Sequence, residues 1–204
     1  MGKSFFVICF FIALGLWSCS KDDGSPPKTP QELLTEGWQG YASHNYQLAI
    51  DRFTAALQAD ASLVDAYNGL GWANAKRDLL DASVSNFNTG LARDSSNLQM
   101  KAGLAFVLNA KSSLANHYQL SIDKALAVLH ADSLWSFSRD VSINASDLQL
   151  LLSEDYFAIA DFSSSLVQVQ KLNAKLSTSF DADVSTTAGQ TALANEIERL
   201  RTLF

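Results

Sequence analysis

A chain of 204 residues, with 48% hydrophobic and 18% charged residues, suffices for one domain of moderate size or an array of short units. This composition argues against disorder over most of its length. The formal net charge is −6 and the lysines and arginines form no stripe, which argues against binding nucleic acid or holding anionic lipid by surface charge.

Residues 1–18 have the features of a signal peptide. A single lysine precedes an apolar run from Ser4 to Trp17, which is shorter than the ~20 residues of a membrane-spanning helix. The run ends in Leu16-Trp17-Ser18-Cys19, which resembles the lipobox of bacterial lipoproteins. That resemblance implies a diacylglyceryl group on Cys19, cleavage before it, and acylation of the new amino terminus. The alternative is an ordinary thiol at the end of an uncleaved segment.

Residues 19–29 are predicted to be the lipidated cysteine and a polar tether. By resemblance to enteric lipoproteins, Ser20 beside the cysteine implies sorting to the outer membrane. The run Lys21-Asp22-Asp23 resembles the short acidic export signal of surface lipoproteins, or is simply a solvated part of the tether. We therefore expect the chain on the outer membrane, on its periplasmic or its surface-exposed face.

From residue 30 onward the sequence repeats with a period of 34 residues, as the spacing of Gly37-Trp38, Gly71-Trp72 and Ala105-Phe106 shows. Each unit holds two amphipathic stretches separated by a short polar turn, which predicts paired helices. The first helix has a start signal, since Thr29 and Glu32 can form a capping box and Pro30 suits the first helical position.

This pattern resembles the tetratricopeptide repeat (TPR) family through aromatic and small residues at the family's spacing. The residues that carry the resemblance are Gly37, Tyr46, Ala49, Phe53 and Ala56 in the first unit and Tyr67, Leu70, Gly71, Ser83, Phe87 and Gly90 in the second. Ala61 and Ser95 stand where the family usually has a proline. The resemblance implies an all-α fold, a right-handed superhelix of stacked antiparallel helix pairs with a C-terminal capping helix.

The predicted helical domain covers residues 30–204, with units at about 30–63, 64–97, 98–134 and 143–176 and a capping helix at about 188–203. The third unit carries a four-residue insertion near Ser112 to Asn116, and residues 133–144 form a looser stretch before the fourth unit. We expect the capping helix to expose polar residues to water, as terminal repeats require: Glu196, Arg199 and Arg201.

By the same resemblance, a concave groove would be lined by the first helix of each pair and would bind an extended or helical peptide. Its predicted residues are Trp38, Tyr41, Asn68, Trp72, Lys76, Phe106 and Asn109. The alternative is that Trp38, Trp72 and Phe106 are packing between repeats, because an aromatic that recurs at helical spacing is often core.

The sequence shows no catalytic or metal-binding motif and implies no cofactor. Its three histidines lack spaced partners, and the paired acids Asp22-Asp23 and Glu154-Asp155 are interpreted as linker and solvated helix surface. The predicted function is a membrane-anchored protein-binding scaffold in envelope assembly, secretion or surface export, with a protein or peptide partner and no nucleic acid or small-molecule substrate. The alternatives are a self-associating structural lipoprotein and an enzyme with scattered catalytic residues.

Overall fold

The computed structural model describes residues 26–111 and 116–204. The predicted signal peptide, Cys19, the start of the tether and most of the predicted insertion therefore lie outside the described residues. The described helices are α1 (Pro30–Ala42), α2 (Tyr46–Ala59), α3 (Val64–Lys76), α4 (Leu80–Leu91), α5 (Leu98–Ala110), α6 (His117–Ala131), α7 (Ala145–Ala158), α8 (Phe162–Lys175) and α9 (Thr187–Arg201).

The first eight helices form four antiparallel pairs, and each pair packs against the next along the chain. The first helices α1, α3, α5 and α7 also contact one another side by side, so they form one layer of the stack. The last helix, α9, packs against α7 and α8. The predicted all-α, TPR-like class of stacked helix pairs is confirmed.

Local signals explain where the first helix begins and how each pair turns. Thr29 and Glu32 form the predicted capping box, with the backbone amide of Thr29 donating to Glu32 Oε2 at 2.7 Å. In each pair, the turn places one non-glycine residue in the left-handed region, with φ between 59° and 63°. These turn residues are His44, Asp78, Asn116 and Ala160.

Phenylalanine rings inserted between glycines hold the first repeats together. A Cβ atom added to Gly37 or to Gly69 would lie 2.4 or 2.3 Å from the ring of Phe53. The ring of Phe87 is enclosed in the same way by Gly71 and Gly103. Both rings are fully buried, so a side chain in place of any of these glycines would displace a ring. The 34-residue period therefore marks the positions of these glycines.

Serine hydroxyls on the second helices tie each of three pairs together. Ser83 Oγ donates to the Gly71 carbonyl at 2.7 Å, and Ser121 Oγ donates to the Ala105 carbonyl at 2.9 Å. Ser165 makes the equivalent bond within the fourth pair. The serine at this position is small enough for the two helices to approach closely. Its buried hydroxyl finds a hydrogen-bond acceptor in the carbonyl of the partner helix.

Aspartate turns begin one residue before Ala61 and Ser95, the two positions that hold a proline in the TPR pattern. Asp60 Oδ1 accepts a hydrogen bond from the backbone amide of Ser62 at 2.8 Å, and Asp94 Oδ1 accepts one from Ser96 at 3.0 Å. An aspartate that binds the backbone two residues on forms an Asx turn, which ends one repeat and leads into the next.

A β-hairpin occupies the stretch that the sequence marked only as loose. Strand β1 (Ser136–Phe137) pairs antiparallel with β2 (Asp140–Asn144), and Ser138 and Arg139 form the turn between them. Trp135 and Phe137 are buried in the main hydrophobic cluster of the stack. The hairpin is therefore packed on the helices rather than projecting into solvent.

The capping helix differs from its prediction at one residue. Arg199 and Arg201 are exposed as expected, with 43% and 54% of their side chains accessible. The side chain of Glu196 is only 12% accessible, because it accepts hydrogen bonds from Asn173 on α8 and from Arg199. The expectation that Glu196 faces water is wrong, since this carboxylate docks α9 onto α8.

Candidate functional site

The predicted groove residues fall on the layer of first helices but differ in accessibility. Trp38 is 7% exposed, and Tyr41, Asn68 and Trp72 are each 3% exposed. Phe106 and Asn109 are partly buried, and Lys76 is exposed at the end of α3. Their role in binding a partner stays a prediction. Trp38, Tyr41 and Trp72 belong to the main hydrophobic cluster and Phe106 packs against it, as the alternative of packing between repeats expects.

Trp38, Tyr41 and Trp72 form an aromatic slot, and the hairpin inserts Phe137 into it. The Phe137 ring stacks on Trp72, with centroids 4.2 Å apart and planes inclined by 18°. It meets Tyr41 edge-on at 5.9 Å and Trp38 at 6.3 Å. Phe137 is fully buried, so the slot holds one aromatic side chain from three sides.

Beside the slot lies a site for a cation, formed by Trp38 and Asp65. The guanidinium of Arg139 lies 4.5 Å from the centroid of the Trp38 ring, and its Nη2 is 3.2 Å from Asp65 Oδ2. Trp38 Nε1 donates to the same carboxylate oxygen at 2.8 Å. Arg139 remains 44% accessible, so its ion pair and its cation–π contact each contribute at most about 1 kcal/mol.

Several buried polar atoms in and next to the slot have no hydrogen-bond partner within residues 26–111 and 116–204. They are Tyr41 Oη, Asn68 Oδ1, Trp72 Nε1, Gln99 Oε1 and Trp135 Nε1. Each such atom costs about 1–3 kcal/mol of folding free energy. Burial, helped by the charge of Asp140, also raises the pKa of Tyr41, which keeps its hydroxyl protonated.

An open cavity of about 540 Å³ adjoins the tip of the hairpin. The exposed residues Thr35 and Gln39 of α1 line one side, while Ser138 and Arg139 of the hairpin turn line another. Trp38 and Asp65 form part of its wall. The cavity therefore extends from the cation site along the first helix.

Asn109 takes part in a different arrangement, between α5 and α7. Its Nδ2 donates to Asp155 Oδ1 at 2.7 Å. Asp155 is fully buried, so the interpretation of Glu154-Asp155 as solvated helix surface is wrong for Asp155. Burial raises the pKa of Asp155 to about 6, and Glu154 adds to the rise, whereas Ser121, Asn109 and the charge of His117 lower it.

Asp65, Phe137 and Arg139 belong to this site, and the sequence interpretation did not include them. The alternation Trp135-Ser136-Phe137-Ser138 carries the two-residue period of a strand and could have indicated one. No periodicity could have placed that strand against α1 and α3, because the hairpin follows α6 and the residues it contacts are many positions earlier in the chain.

In the part of the chain that the structure describes, no three histidine, cysteine, aspartate or glutamate side chains converge to form a metal site. Over the same residues, no helix combines the length and apolar character that crossing a membrane requires.

Comparison with known proteins finds likeness in structure and none in sequence. No protein-family model matches the chain, and no curated protein matches its sequence. A solved structure titled "Crystal structure of MamA protein" superposes with a TM-score of 0.61 at 12% identity, covering 85% of this chain and 88% of the other. TTC0263, described as a thermophilic TPR protein in Thermus thermophilus, has 14% identity, covers 85% of this chain and 100% of its own, and has a TM-score of 0.49. At these identities the likeness concerns the fold alone.

Proposed function

We propose that this chain is a membrane-anchored scaffold that binds a protein partner through the aromatic slot, the cation site and the adjoining cavity, together called the groove. The partner belongs to the cell envelope, where the chain takes part in assembly, secretion or surface export. The lipid on Cys19 holds the groove near the outer membrane.

One observation carries the proposal: the groove holds a polypeptide segment of the chain's own hairpin. Phe137 fills the aromatic slot, and Arg139 lies against Trp38 and Asp65. A surface that encloses a ring on three sides and places a carboxylate beside it has the anchors that peptide recognition uses. The open cavity leaves room along α1 for further residues of a bound segment.

The tether suits a groove that acts close to the bilayer. Residues 19–29 precede α1, and an extended chain of that length spans at most about 40 Å. The groove uses α1 itself, the first helix after the tether, so it lies near the end of the chain that carries the lipid. Partner segments at the membrane surface would then meet the groove at a high effective concentration.

The test of the groove is a cross-linking pull-down from intact cells that compares wild type with the double variant Thr35→Arg, Gln39→Arg. Both residues are exposed on α1 and line the cavity, so the variant fills the groove without changing the core. The matched control is Thr54→Arg, Gln58→Arg, which makes the same changes four residues apart on exposed positions of α2.

We expect a specific envelope protein to be recovered with wild type and the control and lost with the Thr35, Gln39 variant. Recovery of the same proteins from all three forms would contradict binding in the groove. A pull-down that yields only the chain itself, unchanged in the variant, would favour the self-associating structural protein.

The anchor is tested separately by metabolic labelling with an alkyne analogue of palmitate. We expect wild type to be labelled and to sediment with the outer membrane, and Cys19→Ser to lose both properties. Cys9→Ser is the matched control, because Cys9 lies in the predicted signal peptide and would be removed with it. Label retained in Cys19→Ser would contradict lipidation at this cysteine.

A further inference from the structure

The hairpin contacts helices that are not its neighbours in the stack. The hairpin follows α6 in the sequence. Nevertheless, Arg139 binds Asp65, a residue 74 positions earlier, and Phe137 contacts Trp38 on α1. In a repeat array each unit normally contacts only the units beside it. The hairpin therefore lies across the first three pairs as an added segment, in the place where a separate peptide would lie.

The base of the hairpin is held by a backbone hydrogen bond and a buried tryptophan, whereas its tip, residues 136–140, is held on the helices through side chains, chiefly the buried Phe137 ring. At the base, the backbone amide of Ala145 donates to the Trp135 carbonyl at 2.8 Å, and Trp135 is buried. Besides its pairing with β2, the tip contacts the helices through the Phe137 ring, the Arg139 guanidinium and a 3.3 Å hydrogen bond from Gln99 Nε2 to the Ser136 carbonyl.

The outer side of the hairpin adds little to hold it in place. Leu134 is 87% exposed and Val141 is 74% exposed, so neither packs on the helices. A two-stranded hairpin has little stability of its own in water, which means that the tip stays where its side chains are bound. Exchange of Phe137 and Arg139 for equivalent groups of another segment would free it.

The tip also fits its site incompletely. Tyr41 Oη and Trp72 Nε1 are on the side chains that enclose Phe137, and both are buried without a hydrogen-bond partner in the described part of the chain. Gln99 Oε1 is also buried without a hydrogen-bond partner in the described part of the chain, although Gln99 Nε2 donates to the Ser136 carbonyl of the tip. A segment with carbonyl and amide groups at these positions would satisfy atoms that the hairpin leaves unpaired.

We infer that the tip of the hairpin is an internal ligand of the groove, and that the partner is a polypeptide segment that displaces it. The partner segment carries an aromatic residue followed two positions later by an arginine or lysine, in the spacing of Phe137 and Arg139. Trp72 selects the flat ring by stacking, and Trp38 with Asp65 selects the cation. This inference rests on the proposed function, because it names the class of partner for the same groove.

The probe is a fluorescent synthetic peptide with the sequence of residues 136–141, SFSRDV, added to the full chain in detergent. We expect it to bind the double variant Phe137→Ala, Arg139→Ala about tenfold more tightly than wild type, whose own tip competes. The same peptide with alanine in place of phenylalanine and arginine should lose this binding. Val141→Ala is the matched control for the protein, since this hairpin residue is exposed, and it should behave as wild type.

Displacement is read directly by amide hydrogen exchange. An excess of the peptide over wild type should raise exchange within residues 136–144 and leave α8 unchanged. If the double variant loses its helical circular dichroism, Arg139→Ala alone replaces it, because Arg139 is half-exposed and outside the core. That single variant should bind the peptide about threefold more tightly than wild type.

Equal binding of the peptide to wild type and to the Phe137→Ala, Arg139→Ala variant would overturn the inference, and so would binding of the alanine peptide as tight as that of the SFSRDV peptide. If the Thr35→Arg, Gln39→Arg variant still loses its envelope partner in cells, the proposed function would survive that failure. A wild-type mass that rises with concentration and becomes monomeric in the Phe137, Arg139 variant would also overturn the inference, because the tip would then occupy the groove of a second copy.

Discussion

The first three helix pairs, α1–α6, and the closing region, α7–α9, consist of the same element, the antiparallel helix, held by different contacts. In the first three pairs, rings of Phe53 and Phe87 fit between pairs of glycines. In the closing region, a separate cluster of aliphatic side chains packs α8 and α9 against Leu150 of α7, and a hydrogen bond from Asn173 to Glu196 joins α8 to α9. The cluster consists of Leu150, Val169, Leu172, Leu193, Ile197 and Leu200.

This difference explains why the repeat is visible in one half of the sequence and faint in the other. A ring between two glycines requires a phenylalanine on one helix and a glycine on each facing helix, so these residues recur in the sequence with the period of the repeat. A leucine core tolerates exchange among aliphatic residues of similar volume, and it leaves no such mark. The two regions should therefore respond differently to substitution.

The largest expected effect is at the rings of the first three pairs. Phe87→Ala should lower the free energy of unfolding by about 3–5 kcal/mol, because it empties the space between Gly71 and Gly103. Gly71→Ala should cost about 1–3 kcal/mol by forcing the Phe87 ring aside. In the double variant the added methyl group enters the emptied space, so the combined loss measured by urea unfolding should be smaller than the sum of the two single losses.

Leu172→Ala in the closing region is the comparison for the Phe87→Ala and Gly71→Ala variants. It should cost about 2–5 kcal/mol, and its loss should add fully to that of Gly71→Ala, because the two sites share no contact. A Gly71→Ala variant as stable as wild type would contradict the packing of Phe87 between glycines.

The next effect concerns the polar contact that docks α9. Asn173 is 1% exposed, donates to Glu196 Oε1 at 2.7 Å and accepts from Arg199 and Thr178. Asn173→Ala should cost about 2 kcal/mol and raise amide exchange across α9, because Glu196 loses a partner while largely buried. Asn86→Ala is the matched control: Asn86 makes the same bond to the carbonyl four residues earlier, and its loss should change stability by less than about 0.5 kcal/mol.

A smaller effect, a gain in stability rather than a loss, is expected on substitution of Asp155, at the boundary between the two regions. Because burial raises the pKa of Asp155 to about 6, the folded chain holds its proton at pH values where the unfolded chain has released it. Stability from this group is present at about pH 4, is lost as the pH rises to about 6, and stays lost above that. Asp155→Asn should remove this dependence and raise stability at pH 7 by about 1–2 kcal/mol.

Thermal unfolding at pH 4 and at pH 7 measures the difference. The Asp155→Asn variant should unfold at a higher temperature than wild type at pH 7 and at nearly the same temperature at pH 4. The hydrogen bond from Asn109 can be kept through the amide oxygen of the new side chain. Equal differences at both pH values would contradict a buried carboxylate with a raised pKa.

The smallest expected effect is in the turns between paired helices. His44, Asp78 and Asn116 in the first three pairs include types that tolerate the left-handed region, whereas the closing region has Ala160 there, with φ of 63°. Ala160→Gly should raise the free energy of unfolding by about 1 kcal/mol, because glycine adopts this conformation without strain. Asp78→Gly should gain less, and a larger gain at Asp78 than at Ala160 in urea unfolding would contradict this reasoning.

Much of the fold was predictable because its signals are local or periodic. The capping box of Thr29 and Glu32, the polar turns at His44-Asn45 and Arg77-Asp78 and the all-α stack of helix pairs follow from residues within one 34-residue unit. Trp38 and Trp72, which recur in that period, line one slot, and the binding of a partner there stays a prediction.

The occupant of that slot could not be predicted in the same way. Phe137 and Arg139 stand in a stretch without helical periodicity, and nothing within it indicates that it returns to α1 and α3. Glu154 and Asp155 are neighbours on one helix, yet Asp155 is buried because α5 and α6 cover its side. Burial of a polar residue depends on what packs over it, which its own neighbours in sequence do not specify.

The sequence by itself determined the paired helices, the cap of the first helix and the turns within the first two pairs, because each depends on side chains within a turn or a repeat. The tertiary structure alone decided that a hairpin occupies the aromatic slot, that Asp155 pairs with Asn109 and that Glu196 docks on Asn173. These contacts join residues that are 23 or more positions apart, and they form because elements that the chain separates meet in the folded stack.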